Sequence, residues 1–328
     1  MELPPLLRLA VDRALSGTAL ADLAASAAAL SQRYRDERRD GRLHVASAQD
    51  ALAYLAVRLP ATYAAVRTSF AALAQARPDF APKTALDIGA GPGTALWAAA
   101  DCWPDLEDAL LVEASPIFRA CGERLAAEAQ QADLVPHVTW RTTWRTADVG
   151  VDAIDCAPRD LVILAYALNE LDADVRQSVL TRLWRATADT LVIVEPGTPA
   201  GWQRILAARR QLIAAGAHVI APCPHADECP LVPPDWCHFA ARVARSRLHR
   251  QAKGAEVPWE DEKFSYVAVS RVSALGLGAR VIARPRKASG RVTLKLCRPD
   301  GSAGDQLFSR RDGAPFKRAW RSDWGASL

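Results

Sequence analysis

The segment Asp87-Ile88-Gly89-Ala90-Gly91-Pro92-Gly93 constrains the fold of this chain more than any other. The apolar run Thr84 to Ile88 reads as a buried strand and Thr94 to Ala100 as a helix, the context in which glycine spacing becomes meaningful. Three alternating residues without Cβ let the turn pass close to a ligand, and the following helix N-terminus offers unbonded amide donors. A nucleoside-like cofactor is the expected ligand. Glu113 ends the next expected strand, where an acidic side chain can accept hydrogen bonds from ribose hydroxyls.

Short apolar runs alternate with helical segments on either side of the turn. Ala109 to Glu113, His137 to Arg141, Leu161 to Tyr166 and Leu191 to Glu195 read as further buried strands, with helices over Pro116 to Gln130 and Ala173 to Ala188. Such alternation implies an α/β fold with a parallel sheet covered on both faces. Ahead of it, Pro4 to about Arg77 is helical in periodicity, with a helix start at Ser47 to Asp50 and another helix broken or begun at Pro60. The run Arg33 to Arg39 reads as a solvated helix face. Beyond Gly197 a helix reaches about Ala215, followed by a Pro- and Cys-rich stretch from Ala221 to Cys237 and a basic helix from Phe239 to about Lys253. Phe264 to Arg271, Ala279 to Ala283 and Arg291 to Leu296 read as antiparallel strands, with a turn at Lys287 to Gly290. The expected units are a helical N-terminal subdomain (1–77), a cofactor-binding domain (78–215) and a C-terminal subdomain (216–328).

Dinucleotide sites favour G-x-G-x-x-G, whereas here the glycines alternate. Asp87 directly ahead of them makes the segment resemble the first motif of class I S-adenosylmethionine methyltransferases. In those proteins the acidic residue helps orient the amino acid portion of the cofactor. The expected fold class is therefore a class I methyltransferase (Rossmann-like) parallel sheet, with Asp87, Gly89, Gly91, Gly93, Glu113 and Asn169 binding S-adenosylmethionine. Asn169 and Glu170 follow the fourth expected strand and face the methyl-transfer region in an open α/β sheet, although a helix cap is the plainer role for Asn169. The chain has no Asp/Asn-Pro-Pro-Tyr motif for methylating an exocyclic amine, and Cys156 has no evident partner as a nucleophile. No catalytic residue or general base is nominated.

Cys223, Cys229 and Cys237 are crowded on a turn-rich segment, whereas Cys102, Cys121 and Cys156 are scattered as small core residues would be. Converging thiolates suit zinc or an iron–sulfur cluster. The spacing is not that of paired C-x-x-C knuckles. Cys297, ending an expected strand, is the natural fourth ligand, with His225 and His238 as competitors.

The net charge of +4 hides an asymmetry. Residues 241–328 hold 19 Lys+Arg against 8 Asp+Glu, while the remainder holds 22 against 29. A polyanion facing the C-terminal part is the reading this suggests. Arg242, Arg245, Arg247, Arg250 and Lys253 recur as one basic face of the expected helix, and Arg284, Arg286, Lys287 and Arg291 flank the expected turn. Trp320 and Trp324 are candidates for stacking on unpaired bases, with packing against the sheet the heavier expectation.

Ala221-Pro222-Cys223-Pro224-His225, Cys229-Pro230-Leu231, Asp235-Trp236-Cys237-His238-Phe239 and Glu260 to Tyr266 resemble the mitochondrial small-ribosomal-subunit methyltransferase-like assembly factors and their bacterial counterparts. The likeness extends to Tyr54 through Tyr63, to the glycine turn and to Leu294-Lys295-Leu296-Cys297. It implies a 4Fe-4S cluster on Cys223, Cys229, Cys237 and Cys297, and association with small-subunit ribosomal RNA. The function expected is that of an S-adenosylmethionine-dependent methyltransferase-like protein acting on that RNA or its assembly intermediate. The alternatives are a non-catalytic assembly factor that retains both sites, or a small-molecule methyltransferase. The apolar stretch Leu161 to Leu168 is far below the roughly 20 residues needed to cross a bilayer, and Glu2 and Asp12 interrupt any signal-peptide pattern. A cytoplasmic monomer without a membrane partner is expected.

Overall fold

The computed structural model describes residues 1–36, 45–131, 140–274 and 276–328. Four helices come first: α1 (Pro5–Leu15), α2 (Leu20–Arg35), α3 (Ala48–Val57) and α4 (Leu59–Ala76). Ser47 and Asp50 cap α3 reciprocally, each side chain accepting from the other's backbone N–H, and Pro60 sits in the first turn of α4, where its missing N–H costs nothing. Of the basic run expected as a helix face, residues 37–39 lie outside the described residues.

The sheet follows, built from β1 (Thr84–Ile88), β2 (Asp108–Glu113), β3 (Arg141–Thr146), β4 (Arg159–Ala165), β5 (Thr187–Pro196), β6 (His218–Ala221), β7 (Phe239–Ala244) and β8 (Trp259–Ser270). Their order is β3-β2-β1-β4-β5-β8-β6, with β7 paired to the first half of β8. Strands β1 to β5 are parallel, and β8 runs antiparallel between β5 and β6. That doubly wound order with one reversed strand is the class I methyltransferase arrangement. Helices α5 (Thr94–Cys102) and α6 (Pro116–Gln130) cover one face together with α4, while α7 (Ala173–Arg185) and α8 (Pro199–Ala214) cover the other. Alternation along β1 follows from the strand period: Leu86 and Ile88 join the cluster under α7 and α8, whereas Ala85 belongs to the opposite core. Phe70 and Phe264, both fully buried, each contribute about 1.5–3 kcal/mol through apolar burial.

A smaller antiparallel sheet carries β10 (Arg286–Ala288), β11 (Arg291–Cys297) and β12 (Ala303–Ser309), with β9 (Arg280–Val281) also on β11. Helix α10 (Ala314–Arg321) closes it over Val292, Leu294 and Leu296. Strands after residue 216 thus fall in both sheets.

Two expectations need correction. The third strand begins at Arg141 rather than ending there, and residues 137–139 lie outside the described residues. It is an edge strand with alternating exposure, so it lacks the continuous apolar run that marks a strand buried on both faces. The basic helix from Phe239 to Lys253 is mostly not a helix. Phe239, Ala241 and Val243 alternate inward as β7, and only α9 (Arg247–Lys253) is helical, capped by Ser246 and ended by Gly254 in the left-handed region. Arginines three residues apart mimicked a helical face, but the apolar period of two decided the conformation.

Candidate functional site

The order reversal places a switch point between β1 and β4, the position at which open α/β sheets bind ligands. A cleft of about 450 Å³ opens there, within the range of about 300–1,000 Å³ usual for small-molecule sites. Gly89, Gly91, Glu113 and Asn169 line it. Gly89 has φ +64°, and a Cβ there would stand 3.0 Å from that of Ala167. Gly93 lies outside the lining and instead starts α5 with φ +80°.

Two carboxylates support the turn. Glu113 at the end of β2 accepts from Gly91 N through Oε2 at 2.8 Å and from Ser115 N through Oε1 at 2.8 Å. It therefore holds the loop in place while keeping lone pairs for a ligand. Burial raises its pKa, against the backbone donors of Ser115, Gly91 and Ala114. Asp87 is buried beneath the turn, and its Oδ2 has no hydrogen-bond partner. Burial, reinforced by the Glu113 charge, pushes its carboxyl up to about 8. Asp87 is not itself among the residues lining the cleft, but an uncompensated buried carboxyl directly beneath a ligand-sized turn is a group suited to a cationic or donor partner.

The opposite wall went unseen in the sequence. Tyr34 of α2, Tyr54 of α3, and Arg58 between α3 and α4 line the cleft. Arg58 lies 5.6 Å from the Tyr34 ring and 3.6 Å from Glu262. Tyr166 donates its hydroxyl to Glu262 at 3.1 Å and sits at φ +58°. A left-handed tyrosine costs on the order of 1–3 kcal/mol and belongs where surrounding contacts impose it, here including the Tyr166 N to Val194 O bond of 2.7 Å. The only sequence signal for this wall was the Tyr54 to Tyr63 stretch. Asn169 and Glu170 occupy a single 3-10 turn, Leu168–Glu170, after β4, and both line the cleft. Burial first, then Glu113 and Glu195, pushes the Glu170 carboxyl up to about 8.

On the far side of β8 the four cysteines meet. Cys223, Cys229, Cys237 and Cys297 line one small, mainly apolar cavity under α8. They come from the segment after β6, the loop ahead of β7 and the end of β11. Burial raises all four thiols, that of Cys297 to about 12. Among the described residues no three His, Cys, Asp or Glu stand close enough to grip a single metal ion. His225 lines the cavity and lies 3.3 Å from Cys297 Sγ. His238 does not line it. Its ring stacks on Trp236 at 4.8 Å and meets Trp324 edge-on at 4.9 Å.

The basic face expected over residues 242–253 is partly neutralised, with Arg247 and Arg250 pairing with no carboxylate among the described residues. Arg242 bonds Asp261 at 2.9 Å and covers Trp259, and Arg245 and Lys253 both bond Glu260 at 2.8 Å. A larger group of free positive charge lies on the smaller sheet. Residues 284–321 hold eleven Lys and Arg against three Asp. Arg291, Arg310, Arg311, Lys317, Arg318 and Arg321 are exposed there and pair with no carboxylate among the described residues. Trp320, 37% exposed, lies 5.8 Å from Lys287 Nζ. Trp324 packs against His238 and is not presented in this way.

Solved structures with a related fold superpose loosely. Magnesium protoporphyrin IX methyltransferase from Synechocystis PCC 6803, with bound SAM, gives a TM-score of 0.43 at 14% identity over 78% of this chain and 100% of that one. A putative RNA methyltransferase from Pyrococcus horikoshii gives 0.40 at 14% identity, over 63% and 84%. Sequence relatives are more specific. The human mitochondrial ribosome assembly protein METTL17 is 31% identical over 302 residues, spanning 84% of this chain and 62% of that protein. The fission yeast (Schizosaccharomyces pombe) Rsm22-cox11 tandem protein 2 is 23% identical over 84% of this chain and 42% of its own length. This chain therefore spans less than two thirds of these relatives. The model of the mitochondrial small ribosomal subunit protein Rsm22 matches residues 48–328, and the chain belongs to the Rsm22 family.

Proposed function

We propose that this chain binds S-adenosylmethionine in the β1/β4 cleft and acts as a methyltransferase-like factor on the small ribosomal subunit, through its RNA. The observation that carries the cofactor assignment is the carboxylate pair. Glu113 clasps Gly91 while Asp87 waits beneath with an unpaired oxygen. In this reading Gly89 and Gly91 admit the nucleoside, Glu113 takes the ribose hydroxyls, Asp87 the cationic amino acid portion, and Asn169 borders the methyl. Gly93 contributes by starting α5. Any acceleration would come from positioning donor and acceptor in line. Calorimetry with S-adenosylmethionine tests the site. No binding, or binding indifferent to Asp87 and Glu113, would remove the assignment.

A second reading is a non-catalytic assembly factor that keeps the cofactor as a structural element, and the name of the human relative, a ribosome assembly protein, favours it. Labelled methyl transfer to immature small subunits separates the two. Incorporation lost on Gly91→Ala establishes catalysis; binding without incorporation establishes the factor.

For the cysteines we propose a 4Fe-4S cluster on Cys223, Cys229, Cys237 and Cys297. Four thiols on one cavity fit it chemically. A single zinc ion, which would draw four donors to about 2.3 Å from one point, is the competing occupant, whereas a cubane spreads its thiolate bonds over four irons. When bound, the group would cross-link the segments around β6, β7 and β11. Anaerobic purification, with iron, sulfide and zinc measured, tests this; one zinc per chain and no sulfide would overturn it. Cys297→Ser should abolish the site, whereas retention would promote His225.

We infer an RNA-facing surface on α10 and the adjoining smaller sheet, where Arg291, Arg310, Arg311, Lys317, Arg318 and Arg321 lack carboxylate partners among the described residues. Binding there would be to phosphates and salt-sensitive.

A further inference from the structure

Two arginines beside the cysteine cavity have no negative partner among the described residues. Arg209 of α8 and Arg280 of β9 both line it and are 3% exposed. On α8 the neighbouring Arg204 pairs with Glu195 and Arg210 with Glu228, but Arg209 pairs with no carboxylate among the described residues. Its Nη2 donates to His225 O at 2.8 Å, while its Nε, equally buried, has no acceptor. Arg280 donates to Pro222 O at 3.0 Å and Gly325 O at 2.8 Å. Carbonyl oxygens satisfy donors but leave the charge in place. A buried cation without a counter-charge is among the least favourable arrangements in a protein interior, and a guanidinium cannot escape it by losing its proton.

We infer that Arg209 and Arg280 are the built-in counter-charge of a dianionic centre held by the four thiolates, and that Arg209 also donates to its sulfur. The inference rests on the proposed metal centre. Four thiolates around a 2+ core leave two negative charges, and the two guanidiniums supply two positive ones. Arg209 and Cys223 line the same cavity, so a thiolate sulfur there would offer the free Nε an acceptor of the right kind. Charge and N–H···S bonds around a thiolate centre set both its retention and its potential. The two arginines are thus positioning residues for the centre and take no part in methyl transfer.

The test uses the full chain purified without oxygen. Metal and sulfide content of the unaltered protein decides the metal reading by itself; a chain holding neither iron nor zinc sinks that reading and this one with it. With metal present, its loss to a chelator is timed for Arg209→Gln and Arg209→Lys. Arg209→Gln should lose metal about tenfold faster or more, the usual range for a residue that supports a metal ligand, and Arg209→Lys should stay close to the unaltered protein. Equal retention in all three overturns the inference. So does a lysine variant as labile as the glutamine variant, because geometry rather than charge would then be responsible. Should Arg209→Gln fold poorly, the potential of its loaded fraction still decides. Removing a positive charge should lower an iron–sulfur potential by a tenfold or larger change in the reduction equilibrium, about 59 mV for one electron, and an unchanged potential counts against the proposal.

Discussion

Asp87 should destabilise the ligand-free protein. Its carboxyl is buried without a partner for Oδ2 and stands at about 8 in the folded chain, against about 3.9 in an unfolded one. The folded value is raised, so the carboxyl's favourable contribution is complete below pH 4 and is lost as pH climbs through 8. At 1.36 kcal/mol per unit, the accumulated cost is on the order of 1.5 kcal/mol at pH 5, 4 at pH 7 and 5 at pH 8. Asp87→Asn keeps the shape and removes the titration. The ligand-free variant should therefore match the parent near pH 4 and exceed it increasingly above. At about 2 °C per kcal/mol for a chain of this size, the gain near pH 7 is about 8 °C in melting temperature. Melting curves by circular dichroism from pH 4 to 8.5 read it. S-adenosylmethionine should act in the opposite sense, because a hydrogen bond to a charged group is worth about 1.5–3 kcal/mol and its loss weakens binding about tenfold or more. A melting difference that does not change with pH, or an Asp87→Asn protein less stable at pH 8, would refute the reasoning.

Glu113→Gln leaves one of Gly91 N and Ser115 N facing an amide NH2, and an unpaired buried donor should cost about 1–3 kcal/mol in chemical denaturation. Glu260, whose carboxyl is held well below the ordinary range against its burial by His249, Lys253 and Arg245, contributes stability that is complete above about pH 4.3 and lost as pH falls further. Glu260→Gln should therefore flatten the acid limb of the stability curve. For RNA, Arg318→Glu with Arg321→Glu should weaken binding to small-subunit RNA and lessen its salt dependence by about 0.7–0.9 logarithmic units for each phosphate no longer neutralised. Arg242→Gln, already paired with Asp261, should change the slope little; filter binding across a salt series distinguishes these outcomes.

Much of the chemistry was legible because it is local. A strand, an alternating-glycine turn and a helix announce a ligand loop within ten residues, and Glu113 could be placed because parallel strands bring successive β C-termini to one edge. Cys297 could be named beside three cysteines at least sixty residues away because it ends a strand, and the structure buries it on the cavity that they also line. What the sequence by itself determined, then, was the alternating sheet, the glycine turn and the set of thiols, all governed by short-range backbone geometry and side-chain chemistry. Tertiary structure alone decided which charges remain free and what closes the cleft. Arg242 and Arg245 look basic in sequence but face Asp261 and Glu260 across an antiparallel pair. Arg58 and Tyr34 reach the cleft only because the N-terminal helices fold back over the sheet to meet Glu262. Pairing across long separations depends on which surfaces bury together, and no local pattern encodes a partner two hundred residues away.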